Sequence, residues 1–286
     1  IDLEILDMLI NGALTTEYFQ NIGQDNFSYT RIQLKAVKAG IAGIHCKAEY
    51  KDKWYSLTRR SNTQHHFSVI QSGSSESITS REIEKVLSEY TGEQLANTVI
   101  EVFTKDAITW MIAHLPGKTL AYNESIAKAH GVDLAWSILK TDVYGDLDYR
   151  GKDMIYDPRF SKWCIGDKRD DKIGFLDDSV CTHYSEIVEG LMYTPILDME
   201  TLSINSLKLK TIPGISHDSD ATVFISRTDD MRIYGKEHIE QYGVKFDYSK
   251  NFTVRNLGYV RSETGFKIRT ASRSRMAFTR LDVEAS

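Results

Sequence analysis

A chain of 286 residues, 41% hydrophobic and 26% charged, has material for a full core, as two domains or one large β domain. Aromatic content of 10%, with fifteen Tyr and eleven Phe, leans towards strands, while only four Pro leave the turns to Gly, Asp, Asn and Ser. A net charge of −5 argues against a protein whose main task is gripping phosphates, and three scattered cysteines are too few for a disulfide framework.

The chain opens on Ile1, not Met, which reads as a processed protein or a piece of a longer one. An apolar stretch, Ile5 to Ile10, precedes an extended Thr15–Phe19 segment. No apolar run approaches the length of a membrane span. From Ile41 to Ser137 short strands follow one another. Ile44–Tyr50 and Lys53–Leu57 flank Lys51-Asp52 as a hairpin, and His66–Ile70 alternates before a Ser72–Ser75 loop. Thr79-Ser80-Arg81-Glu82 predicts a helix start with Ser80 as cap and Ile83, Val86, Leu87 and Tyr90 on one face. Gly92 interrupts that helix and is expected to weaken its second half, over Glu93 to Asn97, by roughly 1 kcal/mol relative to Ala.

Strands resume at Thr98–Phe103, Ala107–Leu115 and Thr119–Asn123, the last two joined by Pro116-Gly117, and Trp136–Lys140 closes the group. A second group runs through Met154–Tyr156, Trp163–Asp167 and Ile173–Asp177. Repeated short antiparallel strands ending in Gly-Asp or Asp-Asp fit propeller blades, with a sandwich or mixed β fold equally open on the pattern alone. From about Met192 longer strands appear, Ile204–Lys210 and Ala221–Arg227, with Pro213-Gly214 and Asp218-Ser219-Asp220 as turns.

Candidate chemistry is thin. Asp146, Asp148 and Asp153 are the densest carboxylates, and a glycosidase would need two converging roughly 5 to 9 Å apart. Acidic pairs at strand ends (Asp170-Asp171, Asp177-Asp178, Asp229-Asp230) read more readily as turn formers. Cys164, Cys181 and His183 lack zinc-ligand spacing. His45 and Cys46 are neighbours on a strand and point to opposite faces, and His114 reads as a satisfied core or interface residue. No phosphate loop or G-x-S-x-G stands in the sequence. No catalytic group, cofactor or metal is expected. The last third carries Arg255, Arg261, Lys267, Arg269 and Arg273 as a solvated or partner-facing basic surface. Of the aromatics, Trp54 and Trp110 are expected in a core, with Tyr144 in a core or an interface.

Scattered residues then line up with a known family. They include Gly40-Ile41-Ala42-Gly43 with Cys46-Lys47, Ile83-Glu84-Lys85 with Tyr90-Thr91, and His114-Leu115-Pro116 followed by Tyr122. Trp136 with Leu139-Lys140-Thr141, Tyr149-Arg150-Gly151 with Asp153, Gly166-Asp167-Lys168 and Thr194-Pro195 continue the series. The last third adds Phe224-x-Ser226-x-Thr228-Asp229, Tyr234-Gly235-x-Glu237, Gly258 with Arg261, and Gly265-Phe266-Lys267 with Arg269. Their order from about residue 38 resembles the tail-hub proteins of short-tailed phages of the Salmonella type, also called packaged-DNA stabilization or tail nozzle proteins. Residues 1–37 match only loosely.

The resemblance implies a non-enzymatic virion protein of the phage tail. It implies a homohexameric ring below the portal and its adaptor ring that extends the channel for packaged double-stranded DNA without reading its sequence, and that carries the tail needle and tailspikes. The expected fold is mainly β. Residues 1–37 would be the tail end of a longer region, 38–191 propeller-like blades incomplete at the N-terminus, and 192–286 a C-terminal antiparallel sheet or sandwich, with one short helix near 80–97. Asp229-Asp230 lacks the glycine usual after this strand in the family, so a wider turn is expected. Lumen carboxylates would let DNA slide by repelling phosphate. The alternative is a β-propeller glycosidase or carbohydrate-binding module using the acidic loops between Asp146 and Asp178.

Overall fold

The computed structural model describes residues 2–4, 7–23, 28–59, 63–199, 201–212, 221–244, 246, 248 and 252–286. The expected turns at Pro213-Gly214 and Asp218–Asp220, and Ile5-Leu6 of the first apolar stretch, lie outside them. The chain divides into two compact units, Ile1–Leu139 and Lys140–Ser286.

The first unit is a succession of three antiparallel sheets. Asp2–Glu4, Asp7–Asn11, Thr16–Asn21 and Tyr29–Arg31 pair in sequence order. In the second sheet Lys53–Arg59 pairs on one side with Gly40–Ile41 and Lys47–Tyr50 and on the other with His66–Gln71, which pairs with Ser74–Ser77. The third runs Val99–Lys105, Ile108–Leu115, Lys118–Asn123, Trp136–Leu139. Most strands pair with a neighbour in sequence, several across short hairpin turns, but Gly40–Ile41 pairs with Lys53–Arg59, and residues 124–135 separate Lys118–Asn123 from its partner Trp136–Leu139. Lys51 and Asp52 both sit at positive φ (49° and 58°), the twist that matches two strands across a two-residue loop. Ser72-Gly73 makes another such turn, so the expected Ser72–Ser75 loop is shorter, and its second half is a strand.

Apolar faces of consecutive sheets close on one another. Leu9 and Tyr18 of the first share a cluster with Trp54 and Ile70 of the second. Tyr55, Leu57 and Phe67 of the second pack with Met111, Leu120 and Tyr122 of the third. Trp136 stands between Phe67 (5.0 Å) and Tyr122 (5.1 Å) and donates its indole N–H to the Ile78 carbonyl at 2.8 Å. Two glycines permit the closest backbone approaches. A Cβ on Gly40 would lie 2.2 Å from the Ala13 carbonyl carbon, and one on Gly43 2.0 Å from the Ala96 carbonyl oxygen.

Three short helices are found among the described residues, where one was expected. α1 (Arg81–Ser88) starts as predicted, with the Ser80 hydroxyl accepting from the Ile83 N–H at 3.3 Å and Ile83 and Leu87 buried. α2 (Gly92–Ala96) is a separate helix and not the weak second half of α1. Thr91 and Gln94 form its capping box, so Gly92 occupies a first-turn position and costs no helix interior. α3 (Glu124–His130) was not foreseen, although Asn123 caps it by accepting from the Ile126 N–H and Gly131 follows it at positive φ.

The second unit begins with the three-stranded sheet Gly151–Asp157, Lys162–Asp167, Ile173–Phe175 and the small hairpin Thr182–His183/Glu186–Ile187. A two-sheet module follows. One sheet orders Glu189–Tyr193, Glu263–Ala271, Thr222–Thr228 and His238–Gln241, with Leu197–Asp198 also on Glu263–Ala271; the other orders Phe252–Val260, Leu202–Thr211 and Phe278–Ala285. Val223, Ile225, Phe266 and Ile268 of the first form one core with Ile204, Leu207, Leu209, Phe252 and Val254 of the second. A bulge between Ile204 and Ser206 resets the pleat so that Leu207 and Leu209 both face inward. The connection after Thr228 is wide, as Asp229-Asp230 predicts. It runs from 229 to 237, and Asp230 Oδ1 accepts from the N–H groups of Arg232 and Ile233.

Candidate functional site

The five basic residues singled out from the sequence do not form one surface. Arg255 and Arg261 lie on or just beyond Phe252–Val260, in the three-stranded sheet, and are exposed. Lys267 and Arg269 lie on Glu263–Ala271 in the other sheet, and Arg273 is exposed beyond it. Arg269 corrects the reading of a partner-facing group, because it is buried at 4% exposure. Its Nε donates to Glu237 Oε1 at 3.0 Å and its Nη2 to Glu237 Oε2 at 2.6 Å, and its guanidinium lies 3.9 Å from the Phe224 ring centroid. Burying a charge is tolerable only with such pairing. The Glu237 carboxyl is correspondingly held below its usual range, chiefly by those hydrogen bonds. Half-buried Lys267 approaches the same carboxylate at 3.5 Å and lies over the Tyr234 ring.

The network continues into the start of the unit. Arg269 Nη1 lies 3.6 Å from Glu189 Oε1, and Lys140 Nζ donates to Glu189 Oε2 at 2.6 Å and to the Gly145 carbonyl at 2.8 Å. The Glu189 N–H donates to the Asp142 carbonyl. Residues 140–145 are thereby tied to the five-stranded sheet. Tyr144 is 79% exposed, so it belongs to no core, whereas Trp54 is buried and Trp110 half-buried.

A second ion cluster organises the three-stranded sheet. Arg150, 2% exposed, donates from Nε to Asp167 Oδ1 at 2.9 Å and from Nη2 to both Asp167 and Asp170, while its Nη1 pairs with Glu186 at 2.8 Å. Its hydrogen bonds lower the Asp167 carboxyl to about 2. The Arg150 N–H donates to Thr141 Oγ1, which in turn hydrogen-bonds His183 Nδ1 at 2.8 Å. Burial, with the nearby Arg150 charge, drops His183 to about 4, so its imidazole is neutral at pH 7.

Several of the acidic candidates are taken up in pairings and turns. Asp148 is paired with Lys168 at 2.8 Å, and Asp170 with Arg150 and Lys172. Asp177 accepts from Ser179 in a turn. Asp157, Asp167, Asp170 and Asp177 are all held below the ordinary carboxylate range, by Arg159, Arg150, Lys172 and Ser179 respectively. A glycosidase acid needs the opposite displacement. Among the described residues no three His, Cys, Asp or Glu side chains converge on a metal position, and no helix is long and apolar enough to cross a membrane. His114 is buried, as its apolar strand predicts, with Nδ1 at 3.2 Å from Thr119 Oγ1.

The sequence reading missed the residues that hold the second unit together. Arg150, Lys140, Glu189 and Glu237 were visible only as resemblance residues or not at all. Arg227, on Thr222–Thr228, spans the two sheets. Its Nη1 donates to the Leu257 carbonyl at 2.6 Å, its Nη2 to the Tyr259 carbonyl at 2.8 Å and its Nε to Thr264 Oγ1 at 3.1 Å. No local pattern announces such struts, because their partners lie 30 or more residues away.

Residues 7–181 match the family model described as bacteriophage P22 Gp10, β-propeller, and residues 189–286 the one described as bacteriophage P22 Gp10, β-sandwich. The first match starts at residue 7, within the segment 1–37. The tail hub protein gp10 of Salmonella phage P22 is 29% identical over 266 residues, 92% of this chain and 55% of that protein. The chain thus spans about half the length of that relative. Among solved structures, a glycoside hydrolase family 43 arabinoxylan arabinofuranohydrolase from Bacillus subtilis aligns with 95% of this chain and 59% of its own, at 9% identity and TM-score 0.29. An exo-β-1,3-galactanase from Phanerochaete chrysosporium aligns with 96% and 68%, at 7% identity and TM-score 0.21. Neither likeness carries an argument about fold or activity.

Proposed function

The chain belongs to the bacteriophage P22 Gp10 family, and from that premise we propose that it is a structural subunit of a short-tailed phage tail hub and not an enzyme. The observation that carries this reading is the matching of both family models in order, blades first and sandwich second, over nearly all of the chain. The ion clusters at Arg150 and Arg269 support it, since they fix strands instead of presenting reactive groups.

In the finer reading, the subunit forms a homohexameric ring below the portal and adaptor. The ring extends the DNA channel, helps to retain the packaged genome and carries the needle and tailspikes. Like subunits in a closed ring meet through two different patches of each. Residues 1–37, 38–191 and 192–286 would then be a lead-in segment, the blade region and the terminal sandwich, with exposed Arg255, Arg261 and Arg273 available to protein partners. Negative-stain microscopy and mass photometry of the purified chain test the ring. Particles with a central hole and a mass near six subunits are expected, and a monodisperse monomer at micromolar concentration would count against ring formation by these residues.

A further inference from the structure

We infer that the Arg269 network floors a binding site for a neutral sugar ring, with Tyr144 as its stacking platform. A cavity of about 290 Å³ opens over Arg269 in the second unit. That volume is at the small end of ligand sites and suits a single pyranose.

Its charges balance. Lys140, Lys267 and Arg269 line it on the cationic side, and Asp146, Glu189 and Glu237 on the anionic side. An anion such as phosphate would meet three carboxylates, and a cation three positive groups. Sugar hydroxyls both donate and accept, so they can use both sets. Arg269 is buried at 4% exposure, and its Nη1 makes no hydrogen bond, only a long ion pair with Glu189 Oε1 at 3.6 Å. A buried donor left unused costs stability unless something else supplies the acceptor.

Two tyrosines complete the site. Tyr193 lines the cavity and is 53% exposed. Tyr144 is 79% exposed, and the Arg269 guanidinium lies 4.9 Å from its ring centroid. Its backbone sits at φ 68°, a region bulky side chains rarely adopt. Such strain persists where surrounding contacts fix it, and it clusters at functional positions. Here Lys140 holds the Gly145 carbonyl and the Glu189 N–H holds the Asp142 carbonyl, on either side of the ring.

The test is ligand-observed saturation-transfer NMR on the whole chain, with D-glucose, D-galactose and D-mannose at millimolar concentration and inorganic phosphate as competitor. At least one sugar is expected to receive saturation, unaffected by phosphate. Tyr144→Gly removes the ring and relieves the positive φ. It should keep or raise the thermal midpoint while weakening the sugar about tenfold, the size of one lost aromatic contact. Tyr193→Ala, on an exposed edge strand, should weaken it similarly. Saturation of none of the three sugars, displacement by phosphate, or wild-type binding in both variants would overturn the inference.

Discussion

The side chains that fix the second unit are charged residues taken out of water. Arg150 is the sharpest case, buried and held by two aspartates and a glutamate. Arg150→Met leaves Asp167 buried without its partner and should cost about 3 kcal/mol. For a unit of this size that is a Tm fall of roughly 6–12 °C, measurable by calorimetry. Acid should act through the same cluster. His183 has its pKa lowered from 6.5 to about 4, chiefly by burial. Both states are neutral above 6.5, and the unfolded chain takes the proton first, so stability is lost as pH falls from 6.5 to about 4. Asp167, lowered from 3.8 to about 2 by Arg150, extends the loss over that lower window. Stability measured from pH 7 to pH 2 should therefore fall in two limbs. NMR should find the His183 imidazole still neutral at pH 5, and Arg150→Met should shrink the lower limb without removing it, since Asp157, Asp177 and Glu237 are lowered by other partners.

Elements behave according to where their glycines fall. Gly92, which reads in the sequence as a flaw inside a helix, opens α2, and a Cβ there would meet only His65 Cε1 at 3.8 Å. Gly92→Ala should thus be neutral or stabilising, by up to about 1 kcal/mol, through a less flexible unfolded chain. Gly43 is the opposite case. A Cβ 2.0 Å from the Ala96 carbonyl oxygen forces the second sheet away from α2, so Gly43→Ala should lower the midpoint of denaturant unfolding clearly below that of Gly92→Ala. Comparable losses in both would show that backbone approach is not what Gly43 provides. The Gly40–Gly43 motif thus marks places where backbones touch.

At the scale of the molecule, the compact units divide at 139/140 and the family models at about 181/189. The network of Lys140, Glu189, Glu237 and Arg269 accounts for the earlier division, since it ties residues 140–145 to the sandwich sheet. A fragment of residues 140–286 should therefore unfold cooperatively. One of residues 192–286 should lose that cooperativity, because it lacks Glu189 and the start of the Glu189–Tyr193 strand. Urea unfolding followed by far-UV circular dichroism distinguishes them; single transitions with equal midpoints, each with an m-value in proportion to its length, would show that the network is dispensable.

The sequence by itself determined the β character, most strand positions, the hairpins at Lys51-Asp52 and Pro116-Gly117, the cap at Ser80 and the wide connection after Thr228. Each of these depends on residues a few positions apart, where alternation and turn chemistry act directly. The ordered motifs also carried the family. Only the tertiary structure decided that Arg269 is buried while Arg255, Arg261 and Arg273 are exposed, that Arg227 bridges two sheets, and that Tyr144 stands strained over a cavity. α3 was missed although Asn123 and Gly131 marked its ends, because the strand signal of Thr119–Asn123 masked the cap. The physical reason is common to the charged residues. An arginine's burial is set by which distant carboxylate reaches it, and that depends on how strands far apart in sequence are brought together.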